Sequence, residues 1–319
     1  MRIDPRLRQA AETGQVQREA QQALLAACDA WRADPRIAPL LCGLERFGEG
    51  ADLREVPELG GAIGDAGRET ALSLLDHVLP ALAAFPLGQL PLRHNSDHQV
   101  STLLLARAGR ALLILAAREP GHYPRECASF SDGERHEIIL AGSASGRLAR
   151  APVSSGTGAG LACEMRALAP GTSLSLSQRR EALLVDHVHS RLVSLRLVRE
   201  AQDPRPTREY RLCDGTLMHQ AAGALEQSRQ ELILALLGRM GRHDAAPVLA
   251  EMALEKEQRG NRHLRWQALR EAIALDTEAG FRALCAIAAD PGDPLAVPAR
   301  KLRARLLLAH PVLARLEAA

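Results

Sequence analysis

The chain has 319 residues, 46% of them hydrophobic and 24% charged, with a formal net charge of +2. That is an ordinary globular composition, long enough for two domains, and it excludes a fibrous, low-complexity or strongly polybasic chain. Aromatic residues make up only 3%, so the cores must be built mainly from Leu, Ala, Val and Ile.

Lys256 and Lys301 are the only lysines, which with the abundant alanine suggests a GC-rich bacterial genome. Acidic and basic residues are spread evenly, so nucleic acid is not an expected partner. The local group Arg300, Lys301, Arg303 and Arg305 reads as a solvated helix face. The six cysteines are scattered, with no CxxC pair and no zinc spacing, as expected of free thiols in a reducing compartment. The first residues, MRIDPRLRQAAETGQ, contain no apolar core of a signal peptide. No run approaches the roughly 18 apolar residues of a membrane span. A cytoplasmic, soluble protein is the expectation.

In chain order, residues 1–90 read as a helical N-terminal region. Gln15 to Trp31 places Ala20, Leu24, Ala27 and Trp31 close to one face, and a second helix runs from Gly67 to Ala84. The Gly-rich section between them, Gly43 to Gly64, reads as loop with short apolar pieces. Its Gly60-Gly61-x-x-Gly64 lacks the preceding strand and following Lys-Ser/Thr of a phosphate cradle.

Pro86 and Pro91 mark a change of period from 3.6 to 2. Residues 91–215 read as an antiparallel β domain, a sandwich or barrel of nine or ten short strands. Ala108-Gly109 and Pro170-Gly171 are turn signals, and Pro152 to Gly160 is a Ser/Gly loop. The clearest strand pattern is Val193, Leu195 and Leu197 alternating with Ser194 and Arg196. Ser190-Arg191, just before it, fits either a tight turn or a bulge.

Residues 216–319 read as helical. Ser228 with Glu231 fits a capping box, and Asp244, Asn261, Asp276 and Asp293-Pro294 fit later helix starts. The pairs 229–255 and 262–289 recur with a period of roughly 35 residues. In helix length and spacing this third of the chain resembles HEAT-type repeats, which implies a surface for another protein or peptide. The fold class is therefore α+β and multidomain.

Three places can carry chemistry. His187-Val188-His189 puts two imidazoles on one face of a strand. Arg93 to His98 offers His94, Asp97 and His98 as ligands or an acid–base set, and equally suits a polar linker. Glu134, His136 and Ile138 share a face that could converge with the His pair. The His-x-His pair, the strand density and the stretch LAPGTSLSL resemble cupins. That resemblance implies a small barrel with iron, manganese or zinc held by His187, His189 and His136. Here Ser190-Arg191-Leu192-Val193 follows the pair, and the next glutamate is Glu200. No nucleophile elbow is present.

Two readings follow. One is an interaction or accessory protein, with the helical third as partner surface and the β block as scaffold or ligand sensor. The other is a metal-dependent cupin-like oxygenase or isomerase. The sequence leaves the oligomeric state open.

Overall fold

The computed structural model describes Pro5 and residues 14–152, 160–255 and 262–316. Asn261 and most of the 152–160 loop lie outside the described residues. The chain forms two compact units: one runs to Pro204 and includes Arg208–His219, and the other holds Arg205–Thr207 and the chain from Gln220. It is an α+β protein with helices at both ends and a central eight-stranded antiparallel sheet. Among the described residues no helix is long and apolar enough to cross a membrane.

In the first unit, α1 (Gln15–Ala33) buries Ala20, Leu24, Cys28 and Trp31, a stripe at helical spacing. The Trp31 indole N–H donates to Ser73 Oγ at 3.0 Å, across to α4 (Gly67–Ala84). Between these lie α2 (Ala38–Glu49) and α3 (Pro57–Ala62), so the Gly-rich section expected as loop is mostly helical. Its glycines serve close packing: a Cβ on Gly48 would lie 2.2 Å from the Ala108 carbonyl oxygen, where α2 meets the sheet. The same core cluster holds Trp31, Phe47 and Leu74 from the helices and Leu105, Leu113, Leu195 and Leu197 from the strands. The N-terminal helices therefore cover one face of the sheet.

The main sheet runs β1 (His94–Ser96), β2 (Val100–Ala108), β3 (Ala111–Arg118), β9 (Glu181–Glu200), β6 (Gly133–Arg150), β7 (Cys163–Leu168). Gly109, at φ 53, makes the β2–β3 turn. The strands β6 and β9 pair along their whole length, from Gly133 opposite Glu200 to Arg150 opposite Glu181. Each belongs to two half-sheets. The first half of β6 takes β8 (Ser173–Ser177) on its free edge, and the second half takes β7. The second half of β9 takes β3, and the first half takes β4 (Gly121–His122). Ser190-Arg191 is thus no turn: the strand runs through it.

Register shifts between Ile139 and Gly146 mark the bend between the half-sheets. At its centre Gly142 has φ 82, and a Cβ there would lie 2.0 Å from the Arg191 carbonyl oxygen. The inner faces of both halves share an apolar cluster, with Ile139, Leu174 and Leu192 meeting Ala144, Leu168 and Val188. Beside them a three-stranded sheet runs β11 (Leu217–Ala221), β10 (Thr207–Arg211), β5 (Cys127–Phe130). Its Phe130 and Tyr210 pack with Ala149 and Leu184.

The second unit comprises α5 (Leu225–Arg239), α6 (Ala246–Leu254), α7 (Arg262–Leu275), α8 (Thr277–Ala289) and α9 (Ala296–Ala309), around Leu249, Leu269, Phe281 and Leu284. Asp276 caps α8 by accepting from the amides of Glu278 and Ala279. Ser228 caps nothing: its own amide already bonds to Ala224 O inside α5. Arg265 and Asp293 form a buried ion pair at 2.6 Å, and Arg265 Nε also donates to Ala253 O.

Gly142→Ala should therefore lower the stability of the first unit by more than about 2 kcal/mol, because left-handed strain adds to a backbone clash. Chemical denaturation, compared with Gly171→Ala at a turn whose glycine has open space around it, checks this.

Candidate functional site

Alternation along the paired strands assigns opposite chemistry to the two faces of the sheet. On β6, Glu134, His136 and Ile138 point toward the helices, while Arg135, Glu137 and Ile139 point inward. The outward set is fixed by contacts: His136 meets the Phe47 ring at 6.1 Å, and Ile138 lies in the helix-facing core. On β9, Leu195 and Leu197 face the helices, and Ser194 and Arg196 face inward. Register places Arg118 of β3 opposite Leu192, on the same inner face.

Glu137 is the centre of that face, 1% exposed. One carboxylate oxygen accepts from Ser194 Oγ and from Arg196 Nε, both at 2.6 Å. The other accepts from Arg135 Nη2. Burial alone would raise its pKa, but the Arg196 and Arg135 charges and the two donors on its first oxygen outweigh that and hold it at about 2. The carboxylate stays ionised at any ordinary pH.

The guanidiniums outnumber it. Burial and the neighbouring Arg196 and Arg135 charges push the Arg118 pKa down to about 10, and burial and Arg196 lower that of Arg135 as well. The Nε atoms of Arg118 and Arg135 are buried without any hydrogen-bond partner. A buried donor left unmade costs about 1–3 kcal/mol, more when it is charged. Both arginines line a cavity of about 230 Å³, whose wall also carries Arg125, Gln178, Glu181 and Glu209. This is a polar site with an excess of unsatisfied cationic donors.

The histidines lie elsewhere. His187 and His189 stand on the outer face of the first half of β9, with His122 of β4 paired to His187. The His187 ring centre lies 4.2 Å from that of His122, tilted, and 4.5 Å from that of His189, edge-on. Desolvation, then repulsion from His122 and His189, lowers the His187 pKa. His136 is across the bend, opposite Leu197, with Nδ1 at 3.0 Å from Ser175 Oγ. Leu197 lies ten positions along β9 from His187, so His136 does not converge with the pair. Among the described residues no group of three or more His, Cys, Asp or Glu is arranged to hold a metal ion. A metal of the cupin kind does not fit the inner face either, since three guanidiniums around one carboxylate repel a cation. In the Arg93–His98 run, Asp97 accepts from the amides of Gln99 and Val100 and serves as a turn.

No protein-family model matches the chain, and no curated protein matches it. Among solved structures it is similar to a cupin superfamily protein from Desulfitobacterium hafniense DCB-2, at 16% identity over 34% of this chain and 83% of that one, with a TM-score of 0.24. A sugar phosphate isomerase from a cupin superfamily of Silicibacter pomeroyi DSS-3 matches at 10% identity over 35% of this chain and 65% of that one, TM-score 0.25. HutD from Pseudomonas fluorescens SBW25 matches at 15% over 34% and 56%, TM-score 0.25. These likenesses cover about a third of the chain, and no activity carries across from them.

The depressed Glu137 pKa gives a pH signature. Its stabilising contribution is complete above the usual carboxylate pKa of 4.5 and is lost as pH falls toward about 2. Glu137→Gln should cost on the order of 3 kcal/mol near pH 7, and the gap from wild type should shrink below pH 4.5. Denaturation of both proteins across that range measures it.

Proposed function

We propose that the β unit is a receptor for a small molecule, and that the protein works as an accessory or interaction protein rather than as a catalyst. The observation that carries this reading is the set of guanidiniums, those of Arg118, Arg125 and Arg135, gathered on the wall of one cavity. A structural core has no use for them, because apolar packing of similar volume is often as stable or more so than buried charge. A ligand that accepts their hydrogen bonds makes sense of the cost.

The titratable groups support binding over chemistry. A general acid or base works best with a pKa near the operating pH. Glu137 is instead held near 2 and already committed to three donors. Burial, then the Glu209 charge, raises the pKa of Cys127 on the cavity wall, which keeps the thiol protonated and a poor nucleophile. The metal-dependent oxygenase or isomerase reading loses support with the placement of His187, His189 and His136.

The helical unit supplies the partner side of the proposal. Leu232, Ile233 and Leu236 of α5 and Met240 at its C-terminal cap are all more than half exposed, a run of apolar residues of the kind that another protein or peptide covers. We read α5 to α9 as HEAT-like helices serving that role, in a cytoplasmic protein.

A thermal-shift screen of the full chain against small anionic, neutral and cationic compounds tests the receptor. Saturation to about 100 Kd adds roughly 2.7 kcal/mol, which is about 5–10 °C for a unit of this size. At least one compound should reach that shift in the wild type and not in a folded Arg118→Ala/Arg135→Ala variant. No shift from any class would end the receptor reading.

A further inference from the structure

We infer that the cavity takes a small organic molecule by a single oxyanion head, a carboxylate or phosphate group, held by Arg118 and Arg135. The inference rests on the receptor reading and names the ligand class for that same site.

The head is set by what the inner wall lacks. Guanidinium nitrogens only donate, so what Arg118 and Arg135 offer a molecule in the cavity is matched by an acceptor. Charge narrows the acceptor further. Arg118, Arg135 and Arg196 share the face with one carboxylate, and that carboxylate is spent on Ser194, Arg196 and Arg135. An incoming anion removes the repulsion among the three cations, which a neutral carbonyl or hydroxyl does only weakly. Planar guanidinium donors match carboxylate and phosphate oxygens well.

The single head follows from the rest of the wall. Glu181 and Glu209 line the same cavity and are only half-buried. Against Arg118, Arg125 and Arg135 they leave the lining one positive charge, which a single oxyanion neutralises, and they accept hydrogen bonds from hydroxyl or amino groups on the remainder of the ligand. A cavity of about 230 Å³ suits a small ligand. Polyanions are thereby disfavoured on charge.

Glu137 and Arg196 act through Arg135 as positioning residues. Glu137 fixes Nη2 of Arg135 and with it the guanidinium on the cavity wall. Arg118 has no such side-chain hydrogen bond among the described residues, and its guanidinium lies 5.9 Å from the centre of the Tyr123 ring. It is therefore the residue to change. If Arg118 is there for the ligand, Arg118→Gln removes anion binding and also relieves cation crowding, so the unliganded variant melts no lower than wild type. A merely structural Arg118 would give the opposite: a lower melting point.

The experiment is thermal shift and calorimetry on the full chain, wild type and Arg118→Gln, at constant ionic strength. The probes are lactate, glycerol 2-phosphate, inorganic phosphate, citrate and glycerol, at low millimolar concentration to avoid general salt effects. The expected result has three parts. Lactate or glycerol 2-phosphate raises the wild-type midpoint by several degrees. Citrate and glycerol do not. The shift vanishes in Arg118→Gln, whose own midpoint is equal or higher. If a neutral or cationic compound from the wider screen binds in the cavity and these anions do not, the ligand class is wrong while the receptor reading stands. Equal anion shifts in both proteins, or an unliganded Arg118→Gln that melts lower, would also overturn the inference. If no probe and no screened compound shifts the wild type, both readings fail together.

Discussion

The first unit depends on the full-length pairing of β6 with β9, and that pairing has a side. Because side chains alternate across a sheet, one register puts Ile138, Leu195 and Leu197 under the helices and Glu137, Ser194 and Arg196 on the inner face. A slip of one residue would drive an ion cluster against Trp31 and Phe47 and present leucines to a polar cavity. The hydrogen bonds from Ser194 and Arg196 to Glu137 lock the register from the inside. From the outside the lock is Arg199, which pairs with Glu134, lies 4.1 Å from the Phe47 ring centre, and donates to the carbonyls of Phe47 and Ala51. Those carbonyls sit at and just beyond the end of α2, where the helix dipole favours a cation.

Much of the fold was legible because it rests on periodicity. The α1 stripe, the Gly67–Ala84 helix and the alternation at Val193–Leu197 all appear where their spacing puts them. What was not legible were the places where local chemistry has two uses. Glycines at 43 to 64 suggest a loop, yet Gly48 is there to let a helix touch a strand. Ser190-Arg191 fits a turn or a bulge by composition, and the register shift there makes it the bulge. Ser228 has the chemistry of a cap, but α5 begins one turn earlier.

The candidate site was missed for a related reason. Sequence reasoning followed the histidines, whose chemistry is conspicuous, to the outward face of β6 and the outer face of β9. The informative residues were the other parity: Arg135 and Glu137 beside His136, Ser194 and Arg196 between leucines, and Arg118 at the end of an apolar strand. Charged residues at alternate positions inside strong strands are the available signal, since such positions are either exposed or paired. Deciding between exposed and paired needs the knowledge that helices cover the apolar face. That comes only from tertiary packing, because nothing local in residues 15–84 names the sheet as their partner.

The shared core also constrains how the chain can be made. Trp31, Phe47 and Leu74 are complete only with Leu195 and Leu197, near the far end of β9. Helices synthesised first must therefore wait for more than a hundred further residues before their apolar stripes are covered. Such long sequence separation slows folding and leaves sticky surfaces open in the meantime. The first unit therefore closes late in synthesis, as one cooperative event once β9 is available.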